Sequence, residues 1–224
     1  YSLSGAKKDN SVGVSYSEIV GKSLIKANPD NTNFKCITAA MDIGTGIKEF
    51  CEKYPDKYID VGIAESHAVS YASGLSTEGV VPVITIYSTF MQRAYDQIMH
   101  DILLQDLPAV FCMDRAGLVG PDGPTHHGVF DISMLNSLPN IVISAPKDGN
   151  ELSNLIYTGI LSGKAFAIRY KYCNNKRVWQ ITLVNVLTFW GFLLYITLTS
   201  FMIGIFLFSY LVYLIRMFYK DSSS

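Results

Sequence analysis

Short apolar runs recur along the chain, often followed by glycine, serine, aspartate or proline. The pattern FKCIT, YIDVGI, VPVITIY, AVFCM, IVIS and AFAIRY is rich in β-branched and aromatic residues, and it predicts strands at 34–38, 58–63, 81–87, 109–113, 141–144 and 165–170. Between them, apolar positions at helical spacing predict helices at 15–27, 46–54, 65–77, 91–101 and 149–161. Strand and helix alternating in this way predict an α/β fold. Its parallel strands are joined by right-handed crossovers, with helices on both faces of the sheet. In such a sheet, ligand chemistry belongs at the carboxyl ends of the strands.

Past residue 170 the design changes. Residues 178–215 carry no formal charge, whereas about 20 apolar residues suffice to span a bilayer. As one helix the segment would be about 57 Å long, nearly twice a hydrocarbon core of about 30 Å. Two readings stay open for this apolar helical segment. One is a membrane anchor, as a tilted span or a hairpin turning near Gly191 or Gly204; the other is an artefact of gene prediction, as a missed intron or frameshift would produce. Lys171, Lys176 and Arg177 precede it and Arg216 and Lys220 follow, so basic residues set no orientation. The expected organisation is therefore the end of a linker (1–13), one domain (14–170), a basic linker (171–177), the apolar segment (178–215) and a polar tail (216–224).

Composition narrows the function by exclusion. The 224 residues carry a net charge of −1 with no extended Lys/Arg run, which excludes the electrostatic footprint of a nucleic-acid binder. Cys36, Cys51, Cys112 and Cys173 are scattered, without metal-ligand spacing, and read as free thiols. No metal site is expected in this chain. It begins at Tyr1 rather than Met, so it is expected to be part of a longer one, and targeting signals are not legible.

Three stretches carry residues able to do chemistry. In DVGIAESHAVSYASGL, Glu65 follows a strand and starts a helix. That places it either at a binding crevice or, more plainly, where a carboxylate favours the helix dipole. In IYSTFMQRAYDQIMHD, Tyr87 ends a strand and Phe90 sits in a turn, where an aromatic ring can stack on a flat ligand. Arg93 and Gln97 would share a helix face there, and Asp96 or Asp101 would be the plain surface partner for Arg93. In DRAGLVGPDGPTHHGVFD, a glycine- and proline-rich loop carries Arg115, Asp122, His126 and His127, a set able to hold an anion and move protons. His67 and His100 read as packing or surface residues. Neither a P-loop nor a dinucleotide-binding glycine fingerprint is found.

These three motifs, with TAAMDIGTG and PNIVISAPKDGNEL beside them, closely resemble the pyrimidine-binding domain of the 1-deoxy-D-xylulose-5-phosphate synthases, thiamine-diphosphate enzymes of the transketolase type. The resemblance covers residues 14–170. It implies the transketolase pyrimidine-binding fold and a transferase that condenses pyruvate with glyceraldehyde 3-phosphate, losing CO2, toward isoprenoid precursors and thiamine. It implies that Glu65 shares a proton with the pyrimidine ring of thiamine diphosphate, a role helped by low dielectric. It implies that Phe90 packs on that ring, with Tyr87 beside it. Tyr87, Arg93, Arg115, Asp122 and His126 would bind substrate, and His126 and Asp122 would assist proton transfer.

The chain departs from the resemblance in places. Ser66 stands where glutamine is usual, and RYKYCN keeps Arg169 but has Tyr172 where a phosphate-binding arginine is expected. The domain expected to hold Mg2+ and the diphosphate is not in this sequence, nor is a following C-terminal domain. The chain alone is therefore expected to be inactive. The resemblance further implies a homodimer for the intact enzyme, in the cytoplasm or a plastid, or at a membrane if residues 178–215 are genuine. Two other readings remain: a non-catalytic membrane-anchored module, and one subunit of a split thiamine-diphosphate enzyme.

Overall fold

The computed structural model describes residues 14–28, 33–120 and 122–172. The expected linker at 1–13, residues 173–177 of the expected basic linker, the apolar segment at 178–215 and the tail at 216–224 lie outside the described residues. Among the described residues no helix is long and apolar enough to cross a membrane.

Among the described residues six parallel strands form one sheet in the order β2-β1-β3-β4-β6-β5. They are β1 (Phe34–Thr38), β2 (Tyr58–Asp60), β3 (Val81–Tyr87), β4 (Ala109–Asp114), β5 (Ile141–Ser144) and β6 (Ala165–Arg169). The helices are α1 (Tyr16–Ala27), α2 (Lys48–Lys53), α3 (Glu65–Thr77), α4 (Ser88–Met91), α5 (Tyr95–Gln97), α6 (Asp131–Asn136) and α7 (Gly149–Leu161).

Alternation along β4 shows why this sequence makes a three-layer fold. Val110 and Cys112 face one way, onto Val20 and Leu24 of α1 and Leu152 and Ile156 of α7. Phe111 and Met113 face the other, onto Ala68 and Ala72 of α3 and onto Met91, Ile98 and Ile102 of the segment after β3. All six β4 residues are buried, as a central strand covered on both faces requires. Each large aliphatic side chain so buried contributes about 1.5–3 kcal/mol. The short edge strand β2 is only partly covered.

Several boundaries differ from the expected ones, each for a local reason. The strand expected at 58–63 stops at Asp60, because Asp60 Oδ1 accepts from the backbone N–H groups of Ala40 at 2.8 Å and Gly62 at 2.9 Å and turns the chain. The helix expected at 46–54 shortens to Lys48–Lys53. Gly46 lies at φ +73°, outside the helical region, and a Cβ there would meet the Ser17 carbonyl. The helix expected at 91–101 is not continuous: α4 passes through a 3-10 turn (Gln92–Ala94) and α5 into a π-helical stretch (Ile98–Leu103). The expected Arg93–Gln97 face is lost with it. Helix α6 is too short for its periodicity to be visible in the sequence.

Candidate active site

The carboxyl ends of β1 and β3 and the start of α3 surround a cavity of 460 Å³. Glu65, Tyr87, Phe90 and Arg93 line it, together with the β1–α2 loop around Asp42 and Gly44. That loop begins with Ala40 at φ +57°, a left-handed conformation held by the Asp60 bond. Gly44 is needed where it is, since a Cβ would fall on the Tyr87 hydroxyl.

Glu65 is the first residue of α3 and is only 3% exposed. Its Oε1 accepts from Arg93 Nη1 at 2.6 Å, so the partner of Arg93 is the buried Glu65 rather than Asp96 or Asp101. Asp96 instead pairs with His100 at the surface, and Asp101 accepts from Ser70. The Arg93 guanidinium also lies over the Phe90 ring, 4.8 Å from its centroid. Phe90 stacks on Tyr87 with centroids 5.8 Å apart and planes 15° from parallel. His126 meets the pair edge-on, 5.3 Å from Phe90 and 6.4 Å from Tyr87. Tyr87 ends β3, and the irregular backbone that follows carries Phe90 and Arg93 to the same cavity.

Arg115, Asp122 and His126 do not line that cavity; they back the aromatic wall. Arg115 sits at φ +60° and is nearly buried, with its guanidinium 3.8 Å from the Tyr87 centroid and 4.4 Å from that of Tyr172. Its Nε donates to Asp122 Oδ2 at 2.8 Å and its Nη1 to the Gly44 carbonyl at 2.8 Å. Burial pushes the Tyr87 phenol up, and the Arg115 charge pulls it part of the way back. Of the neighbouring histidines, His127 serves the loop: its Nδ1 accepts from the Val119 N–H at 3.1 Å. His126 Nδ1 lies 3.0 Å from the Thr125 hydroxyl.

Two buried carboxylates were not singled out by sequence reasoning. Asp114 ends β4 with no exposure, accepting from Ser17 Oγ at 2.6 Å and from the Arg115 N–H at 2.6 Å. Burial lifts its carboxyl to about 6, and Ser17 and Arg115 only partly oppose this. Asp131 starts α6 and accepts from Ser88 Oγ at 2.9 Å and Arg169 Nε at 2.8 Å. A charge closing an otherwise apolar strand was the available signal for Asp114; for Asp131, whose partners lie 43 and 38 residues away, there was none. Among the described residues no group of three or more His, Cys, Asp or Glu is placed to hold a metal ion.

Residues 12–174 match the family model for the transketolase pyrimidine binding domain. The chain belongs to this family. It is 53% identical over 165 residues to the 1-deoxy-D-xylulose-5-phosphate synthase of Syntrophus aciditrophicus, covering 74% of this chain and 25% of that one. To the synthase of Aquifex aeolicus it is 55% identical over 155 residues, covering 69% of this chain and 25% of that one. This transketolase-type chain thus spans about a quarter of the length of these curated relatives. Among solved structures its fold is similar to a transketolase from Campylobacter jejuni, with a TM-score of 0.65 at 17% identity over 73% of this chain and 27% of that one. It is also similar to a split-gene transketolase described as an inactive β4 tetramer, with a TM-score of 0.63 at 24% identity over 71% of this chain and 52% of that one.

Proposed function

We propose that this chain is the pyrimidine-binding part of a thiamine-diphosphate-dependent 1-deoxy-D-xylulose-5-phosphate synthase, which joins pyruvate to glyceraldehyde 3-phosphate with loss of CO2. The observation that carries the proposal is the buried Glu65 carboxylate sharing a cavity wall with the Tyr87–Phe90 stack. A flat heteroaromatic ring with one basic nitrogen fits that pairing of an aromatic face and a carboxylate. Thiamine diphosphate, when bound, supplies a nucleophilic carbon and a sink for the electron pair left by decarboxylation.

In this reading Glu65 holds a proton at the pyrimidine nitrogen, and its burial keeps water from competing for the bond. Phe90 covers the ring face. Arg93, already on Glu65, keeps that carboxylate turned into the cavity and offers its remaining donors to a substrate carboxylate or phosphate. Arg115 and Asp122 hold Tyr87 from behind, and His126 braces the Phe90 and Tyr87 rings edge-on from beside the cavity. Mg2+ and the diphosphate belong to a domain outside this chain, and a homodimer is the expected assembly of the intact enzyme.

The test is a chimera in which residues 14–172 replace the matching segment of the Aquifex aeolicus synthase. We expect product from pyruvate and glyceraldehyde 3-phosphate only with thiamine diphosphate, and a loss of about 10²- to 10⁴-fold on Glu65→Ala. A folded chimera that binds the cofactor but forms no product would refute the assignment.

A further inference from the structure

Helix α4 carries the aromatic wall and is anchored in the apolar core at its last residue, the fully buried Met91, while its first residue is polar and takes no part in that core. It is four residues long, its cap residue Tyr87 makes no side-chain capping bond, and it runs at once into a 3-10 turn. One turn of helix in isolation does not persist, because nucleation fixes several dihedrals for one hydrogen bond. Something outside the helix must hold its first residue.

That residue is Ser88. Its hydroxyl donates to Asp131 Oδ2 at 2.9 Å, and the same oxygen accepts from Arg169 Nε at 2.8 Å. Asp131 Oδ1 accepts from the Ile132 N–H at 2.8 Å. The carboxylate, only 3% exposed, thereby joins the start of α4, the end of β6 and the start of α6. Ser88 also packs on the returning arm of the long loop: a Cβ at Gly128 would lie 2.4 Å from its Oγ. That arm is tied by mutual backbone bonds between Gly117 and Gly128 at 2.7 and 2.9 Å, and His126 precedes it by two residues. One hydroxyl thus fixes the helix that bears Phe90 and abuts the loop that bears His126.

We infer that Asp131 and Ser88 are positioning residues that set the Tyr87–Phe90–His126 wall, acting through α4 and Gly128 without themselves lining the cavity. Ser88 stands beside Tyr87 in the chain but turns the other way, toward a separate small cavity of 180 Å³ that it shares with Asp131 and His127. The bearing of this device on catalysis rests on the function proposed above; its geometry does not.

The test uses the full 224-residue chain, with NMR observation of the ring protons of Phe90 and His126. Edge-on contact at 5.3 Å displaces those resonances from their free-peptide positions by ring currents. Ser88→Ala should remove most of that displacement while the chain stays folded, because the Asp131–Arg169 pair remains. Ser88→Thr, which keeps the hydroxyl, should restore it. Unchanged ring shifts in a folded Ser88→Ala protein would overturn the inference, as would loss in Ser88→Thr equal to that in Ser88→Ala. Thiamine titrated into the unsubstituted chain separates the two claims. Failure of the Phe90 signals to respond counts against the proposed function, while the Ser88 comparison still decides the inference.

Discussion

The Arg93 guanidinium, half exposed, donates at 2.6 Å to the carboxylate of Glu65, which is almost wholly buried. Two residues 28 apart in the chain make this bond across the cavity wall. Removing the arginine leaves a buried carboxylate without its charge partner. We expect Arg93→Ala to destabilise the fold by about 1–2 kcal/mol, below the 3–5 of a fully buried pair because water reaches Arg93. Glu65→Gln combined with Arg93→Ala should recover part of that loss. Urea denaturation of the four proteins of the cycle measures the coupling, and strict additivity would show that the pair is not coupled.

Asp114 makes stability depend on pH in an unusual direction for a carboxylate. Its pKa is raised from 3.8 to about 6 by burial, so the folded state keeps this proton to higher pH than the unfolded state does. The stability it contributes is complete below the unfolded value and is lost as pH rises through about 6. The loss is of the order of 3 kcal/mol. Melting temperatures from pH 4 to 7.5 should show this falling limb, and Asp114→Asn should flatten it. A limb of the same depth in the variant would assign it to another group.

Glycines at two contacts should respond differently to a methyl group. At Gly44 the new Cβ meets the tip of the Tyr87 side chain, 1.9 Å away. The ring can swing, at the expense of its stack on Phe90. At Gly128 it meets the Arg115 carbonyl at 2.6 Å as well as Ser88 Oγ. Backbone does not swing, so Gly128→Ala should lose about 1–3 kcal/mol and Gly44→Ala less. In the chimera, Gly44→Ala should weaken catalysis more than stability. The reverse order of stabilities by thermal denaturation would contradict this geometry.

Tyr172 occupies the position where the resemblance leads one to expect a phosphate-binding arginine, and its ring lies 4.4 Å from the Arg115 guanidinium. Tyr172→Ala should change stability by no more than about 1 kcal/mol, because the ring is half exposed. Tyr172→Arg in the chimera should lower the KM for glyceraldehyde 3-phosphate about ten- to a hundredfold, as one added charge-assisted contact would. The KM for pyruvate should hardly move. Equal KM values for the phosphorylated acceptor would remove Tyr172 from the phosphate site.

The strand and helix order and the parallel sheet were legible from the sequence. They follow from the period of apolar residues, which is a local property. Glu65, Tyr87 and Phe90 were also legible at or just after strand ends, whereas Arg93 was expected on a helix face with Gln97; the structure brings all four to one cavity. Only the tertiary structure decided their partners: Glu65 for Arg93, Asp122 and two tyrosines for Arg115, Ser88 and Arg169 for Asp131. It likewise decided that the run after β3 is a broken helix. Which buried charge meets which donor depends on how strand ends converge, and contacts spanning tens of residues leave no period in the chain. Hydrophobic spacing determines which face each element buries; the pairing of polar groups at the sheet edge is settled only when those faces have packed.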